Sequence, residues 1–147
     1  MKITGFNRVE LLMEPDDIAD AARVFNDLLG GNLHEPINLE AAHIVTTSDF
    51  DIFIECVGPA GPESRLHADL QRKGRGGIGP LVYNVEDIEA ARAELIEKGY
   101  YISHEFYGPA GSTLYLDPEQ LYGYMVAFTQ LDATHEETRL VRNDPPA

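Results

Sequence analysis

Two glutamates stand where a chain ordinarily puts hydrocarbon. "RVELLM" carries Glu10 and "FIECV" carries Glu55, each a single carboxylate in an otherwise apolar, strand-forming run. A carboxylate turned toward a core is costly unless it is paired, so such positions hold a built partner or do chemistry. Histidine offers one partner. In "HIVTTSDFDIFIECV" a hairpin turn at Ser48 to Phe50 would set residues whose numbers sum to about 98 opposite each other, so that His43 faces Glu55. An imidazole beside a carboxylate is held in one tautomer and prepared for proton transfer. The same pair on a solvent-facing side of the sheet would be an ordinary polar contact, and both readings stand.

Other reactive types are sparse. The single cysteine, Cys56, cannot form an internal disulfide, and its apolar surroundings make it a buried, inert thiol suited to a reducing cytoplasm. No glycine-rich phosphate loop, CxxC pair, nucleophile elbow or HExxH motif occurs. Tyr83, His104, Tyr107, Tyr115 and Tyr122 fall on strand-like runs of the second half, where aromatic residues line cores and pockets. The formal charge of −14 argues against nucleic acid or an anionic membrane as partner, since both need basic patches. No apolar run approaches the roughly 18 residues that span a bilayer, and the first residues lack the apolar core of a secretory signal. A cytoplasmic protein with a small-molecule ligand or substrate is expected.

The elements that must carry these residues repeat. "DIADAARVF" from Asp17 returns as "DIEAARAEL" from Asp87. Each follows a strand-like run and opens with an acidic residue suited to a helix N-terminus. Ile18, Ala22, Phe25 and Leu29 keep helical spacing, as do Ile88, Ala91 and Leu95, and Gly30 and Gly99 stand where C-caps belong. Beyond each helix the chain is β-rich, with "PINLEAA" supplying a first short strand in the earlier half. The reading is α+β: two βαβββ modules, about residues 4–58 and 76–130, joined by a linker at 59–75 with a short helix near Glu63 to Arg72. Together they form one domain over 1–130, followed by a polar tail at 131–147.

Paired βαβββ modules, the "DI…AAR…L…G" openings and "LYLDPEQLYGYMV" resemble the vicinal oxygen chelate superfamily of glyoxalases, bleomycin-resistance proteins and dioxygenases. Within it, "GPESRLHADLQRKGRGGIGPLVYNVEDIEAA" is most similar to methylmalonyl-CoA epimerases. The resemblance implies an open, U-shaped mixed sheet around a cleft, a homodimer, and a divalent metal held by one residue on the first and one on the last strand of each module. Counted back from each helix-opening Asp, the first-strand positions are Glu10 and Pro80; the last-strand positions are Glu55 and about Tyr124. The family commonly has His at the first pair and Glu or Gln at the second. Proline has no side-chain lone pair and a phenol is a poor neutral ligand, so ring-cleaving dioxygenase and standard glyoxalase chemistry are set aside. No cofactor is expected, with a divalent metal on Glu10 and Glu55 left open. The resemblance also makes Glu40 the counterpart of the epimerase base that takes a proton α to a thioester.

Two functions follow. The first is an isomerase, epimerase or lyase moving a proton on a carbonyl compound without the usual metal. Glu10, Glu55, His43 and Glu40 would serve as acid and base, Tyr124 would polarise the enolate, and Tyr83, His104, Tyr107 and Tyr115 would line the ligand site. The alternative is a drug-sequestering protein of the bleomycin-resistance type, which the acidic charge would suit.

Overall fold

The computed structural model describes residues 1–73, 77–132, 134 and 135, without the Lys73 side chain. Most of the expected tail, and the end of the expected linker, lie outside the described residues. The first module is β1 (Ile3–Leu12), α1 (Ile18–Leu29), β2 (Ile37–Leu39), β3 (Ile44–Asp49) and β4 (Ile54–Pro59). The linker helix is α2 (Leu66–Lys73). The second module is β5 (Gly77–Val85), α3 (Ile88–Glu97), β6 (Ile102–Gly108), β7 (Gly111–Leu116) and β8 (Val126–Leu131). Chain contacts separate the described residues into two compact units, Val9–Gly79 and Met1–Arg8 with the described residues from Pro80.

In the first unit β1 runs parallel to β4, β3 antiparallel to β4, and β2 antiparallel to β3. Side chains alternate across a strand, so each face of this sheet has its own residues. Ile54 and Cys56 of β4 join Met13, Ile18, Ala22 and Leu33 in the cluster under α1, with Val9, Leu11 and Phe25 against it. Ile18 and Ala22 are four residues apart and therefore lie on one helix stripe. Burying a side chain of the size of Ile18 contributes about 1.5–3 kcal/mol. The opposite face carries Leu12 and Val57, which pack with Leu66 and Leu70 of α2 and with Ile44. Two glycines let backbones meet here. A Cβ on Gly58 would fall 2.6 Å from the Met13 carbonyl oxygen, and one on Gly79 would fall 2.9 Å from that of Glu10.

The second unit repeats the pattern. β5 is parallel to β8, and β7 pairs antiparallel with both β8 and β6. Val85, Ile88, Ala91, Leu95, Leu114, Leu116 and Phe128 form the cluster under α3, while Val82, Tyr115 and Ala127 occupy the other face. Asn7 donates from Nδ2 to Asn84 Oδ1 at 3.0 Å, and the buried Arg8 donates to Asn7 Oδ1 at 2.6 Å.

The two helix-opening acids behave differently. Asp87 is a true N-cap, accepting from the Glu89 and Ala90 N–H groups at 2.9 and 3.0 Å. Asp17 makes no side-chain cap bond, because a 3-10 turn at Pro15–Asp17 leads straight into α1. Gly30 supplies the left-handed C-cap of α1 at φ 65°. Asp87→Ala is therefore expected to cost about 1 kcal/mol in urea denaturation. Asp17→Ala removes no cap bond and should cost clearly less; equal losses would contradict the difference in capping.

Candidate functional site

Glu10 and Glu55 come together. They are register partners on β1 and β4, so both side chains leave the same face of the sheet, away from α1. Adjacent strands lie about 4.8 Å apart, which sets the spacing of the two side-chain roots. Glu10 is 2% exposed and Glu55 3% exposed. Thr46, fully buried on β3, donates from Oγ1 to Glu55 Oε1 at 2.6 Å. Leu12, Val57 and Ile44 continue this face, so the two carboxylates sit beside hydrocarbon. Thr46 was not singled out by sequence reasoning, because a threonine inside a β-run looks like an ordinary strand former.

His43 does not face Glu55. β3 and β4 pair in the register Ser48↔Glu55, because β3 runs on through Asp49 and the turn comes later. Asp49 accepts from the Asp51 N–H at 2.9 Å, and Phe53 takes the left-handed conformation at φ 58°. His43 instead follows a 3-10 turn at Glu40–Ala42, itself left-handed at φ 54°. Its Nε2 lies 3.7 Å from Glu63 Oε2, both side chains exposed. Glu40 opens that turn at the end of β2, exposed to solvent, and its carbonyl accepts from the His43 N–H at 3.1 Å.

In the second unit, His104 and Tyr115 are register partners with ring centroids 5.7 Å apart, and Tyr115 lies on the face away from α3. Tyr83 packs toward the α3 cluster, edge-on to Phe6 at 5.5 Å and near Phe128 at 6.4 Å. Tyr107 is half exposed and donates to Glu105 Oε2 at 3.0 Å, while Arg92 Nε bonds both oxygens of the same carboxylate. That bond to Arg92 holds the Glu105 carboxyl below its ordinary value; partial burial and the tie to Glu105 push the Tyr107 phenol up. Tyr124 is 72% exposed in the turn before β8 rather than on the strand. β5 and β8 pair as Leu81↔Val126, so the next step back aligns Pro80 with the buried Met125.

The divalent ion implied by the resemblance can be tested on these donors. The first module offers two carboxylates, but in the second Pro80 offers no donor and Met125 only a soft thioether. Among the described residues no three His, Cys, Asp or Glu side chains are grouped to hold a metal. These residues do not fit the site of three or four nitrogen and oxygen ligands that such ions normally take.

No family model matches the chain. The ethylmalonyl-CoA/methylmalonyl-CoA epimerase of Cereibacter sphaeroides is 30% identical over 122 residues, covering 78% of this chain and 90% of the relative. The crystal structure of methylmalonyl-CoA epimerase from Mycobacterium tuberculosis superposes with a TM-score of 0.73 at 20% identity, over 88% of this chain and 89% of that one. A Streptomyces coelicolor methylmalonyl-CoA epimerase variant in complex with 2-nitronate-propionyl-CoA gives 0.75 at 14% identity, over 92% and 99%. The fold is thus the glyoxalase fold expected from the tandem βαβββ modules.

Cys56, beside Glu55 but under α1, plays no part in the face just described. Burial first, then the charge of Glu55, pushes its thiol up to about 12 from 9.0. A group raised in this way stabilises the fold fully below its unfolded value, and that contribution fades as pH climbs through the folded one. Ellman's reagent at neutral pH should leave the native protein unmodified and titrate one thiol in urea; rapid reaction of the folded protein would contradict the burial.

Proposed function

The chain belongs to the methylmalonyl-CoA epimerase family of the vicinal oxygen chelate superfamily, and we propose that it inverts the α-carbon of a short alkylmalonyl-CoA thioester by proton transfer between carboxyl groups, without a divalent metal. The carrying observation is the pairing of Glu10 with Glu55 on one buried face. Inversion at carbon needs a proton removed from one side and another delivered to the opposite side. The first unit holds carboxylates at two places that could serve, the Glu10–Glu55 pair and Glu40 at the end of β2.

In the proposed cycle Glu40, matching the family's base glutamate, takes the α-proton from one epimer to give an enolate. The Glu10–Glu55 pair donates a different proton to the other side, so that Glu40 ends protonated and the pair has given one up; the reverse reaction exchanges the roles. A carboxyl and a carboxylate in different surroundings can divide acid and base work in this way. The surface positions of His43 and Tyr124 leave both outside the cycle. The relative's printed activity favours epimerisation over a lyase reaction or drug sequestration. The same reading makes the protein a cytoplasmic homodimer.

The test follows one epimer of methylmalonyl-CoA in D2O by NMR. Wild type should invert it and exchange its α-proton, with a bell-shaped pH–rate profile unchanged by EDTA. Glu40→Gln and Glu55→Gln should each cut inversion by roughly 10²- to 10⁴-fold. Each variant should keep exchange without inversion from one epimer, and the two should differ in which. Loss of wild-type activity in chelator with recovery on added cobalt would sink the metal-free cycle.

A further inference from the structure

The turn before β8 holds a tyrosine that the fold does not need. Tyr122 is 97% exposed and stands in the left-handed conformation at φ 58°, as the C-cap of the 3-10 turn Pro118–Leu121. That conformation suits Gly or Asn and strains a bulky residue. Strain kept under a side chain that packs on nothing points to a use outside the fold. Its neighbours share the exposure: Tyr101 is 65% exposed, and Tyr100 and Tyr124 also stand open to solvent. Backbone bonds gather the four. Gln120 of the turn accepts from the Tyr101 N–H at 2.8 Å and donates to the Tyr101 carbonyl at 2.5 Å, which also accepts from the Asp117 N–H at 3.2 Å. The Tyr100 N–H donates to the Leu95 carbonyl of α3, and the Tyr124 N–H to that of Leu121, whose side chain packs on the α3 cluster. The backbone that carries the rings is thus ordered before any partner arrives, which removes one cost of binding.

Charge selects the partner. The two segments that carry the rings, 96–101 and 117–124, include Glu97, Asp117 and Glu119, while their only base, Lys98, is paired with Glu94. Electron-rich ring faces among carboxylates attract a planar cation, and a guanidinium stacks on tyrosine where an ammonium acts only as a point charge. We infer that the Pro118–Tyr124 turn and the adjoining Tyr100–Tyr101 segment bind an extended, arginine-bearing segment of another protein. Rings supply the stacking surface, and Glu119 with its acidic neighbours supplies the long-range attraction.

The probe is a short synthetic peptide of alternating glycine and arginine, titrated into the full chain with its tyrosine rings isotope-labelled and followed by NMR. The Tyr101 and Tyr122 rings should shift. A lysine version should bind more weakly, and a glutamate version should not bind. Tyr122→Asn suits the left-handed turn, so its urea midpoint should equal or exceed that of wild type. Its Kd for the arginine peptide should rise about 2- to 5-fold, the share of one exposed cation–ring contact, and its preference for arginine over lysine should narrow. Glu119→Gln should weaken both basic peptides alike. Equal binding of the arginine and lysine peptides by wild type would reduce the effect to attraction by an acidic chain and overturn the inference. So would shifts confined to other tyrosines, or a loss of stability in Tyr122→Asn, which would give the ring a role within the fold. Shifts of the same rings on concentrating the protein alone would assign the turn to a second copy of the chain, and would overturn it as well.

Discussion

Placing two carboxylates side by side in a hydrophobic setting is the constraint to which the first module is built. Parallel pairing of β1 with β4 puts Glu10 and Glu55 on one face, and the alternation of the strands sends Val9, Leu11, Ile54 and Cys56 to the other. A slip of one residue in β4 would drive Glu55 into the cluster beneath α1 and turn Cys56 toward Glu10. Burying an uncompensated carboxylate among Ile18, Ala22 and Leu33 would outweigh any single packing contact in the unit. The apolar complement of α1 thus holds the two carboxylates on the opposite face by making a one-residue slip costly.

Much of this frame could be read from the chain alone. The helix openings at Asp17 and Asp87, separated by 70 positions, gave the modular repeat, because helical spacing and C-cap glycines depend only on local residues. The odd carboxylates in "RVELLM" and "FIECV" marked the buried register pair for a similarly local reason. Register was not legible. The β3–β4 turn moved because Asp49 bonds its own turn and Phe53 accepts a left-handed backbone, a choice more usual for Gly, Asn or Asp. Tyr124 was misplaced for the same kind of reason. Tyr122 and Gly123 are both left-handed, at φ 58° and 87°, which extends the turn and delays β8 to Val126.

The relation to the epimerases is one of shared scaffold. Where the resemblance asks for imidazole the chain has Glu10 and Pro80, and where it asks for a second carboxylate or amide the strand pairing supplies Met125. These exchanges do not disturb the sheet. Proline at position 80 is fully buried near the start of its unit, and Met125 fills space as a flexible thioether does. Secondary structure and packing therefore accommodate both residues.

Asp49 ties two separate segments together. Its Oδ1 accepts from the Asp51 N–H and its Oδ2 from the Asn32 N–H at 2.6 Å, so one carboxylate bridges the hairpin bend and the segment leaving α1. The segment is further fastened where Thr47 Oγ1 donates to the His34 carbonyl and where Asn26 bonds Leu33 through both its amide groups. The helix exit and the hairpin tip are thereby stitched together at the end of β3, beside the ladder that sets Ser48 opposite Glu55.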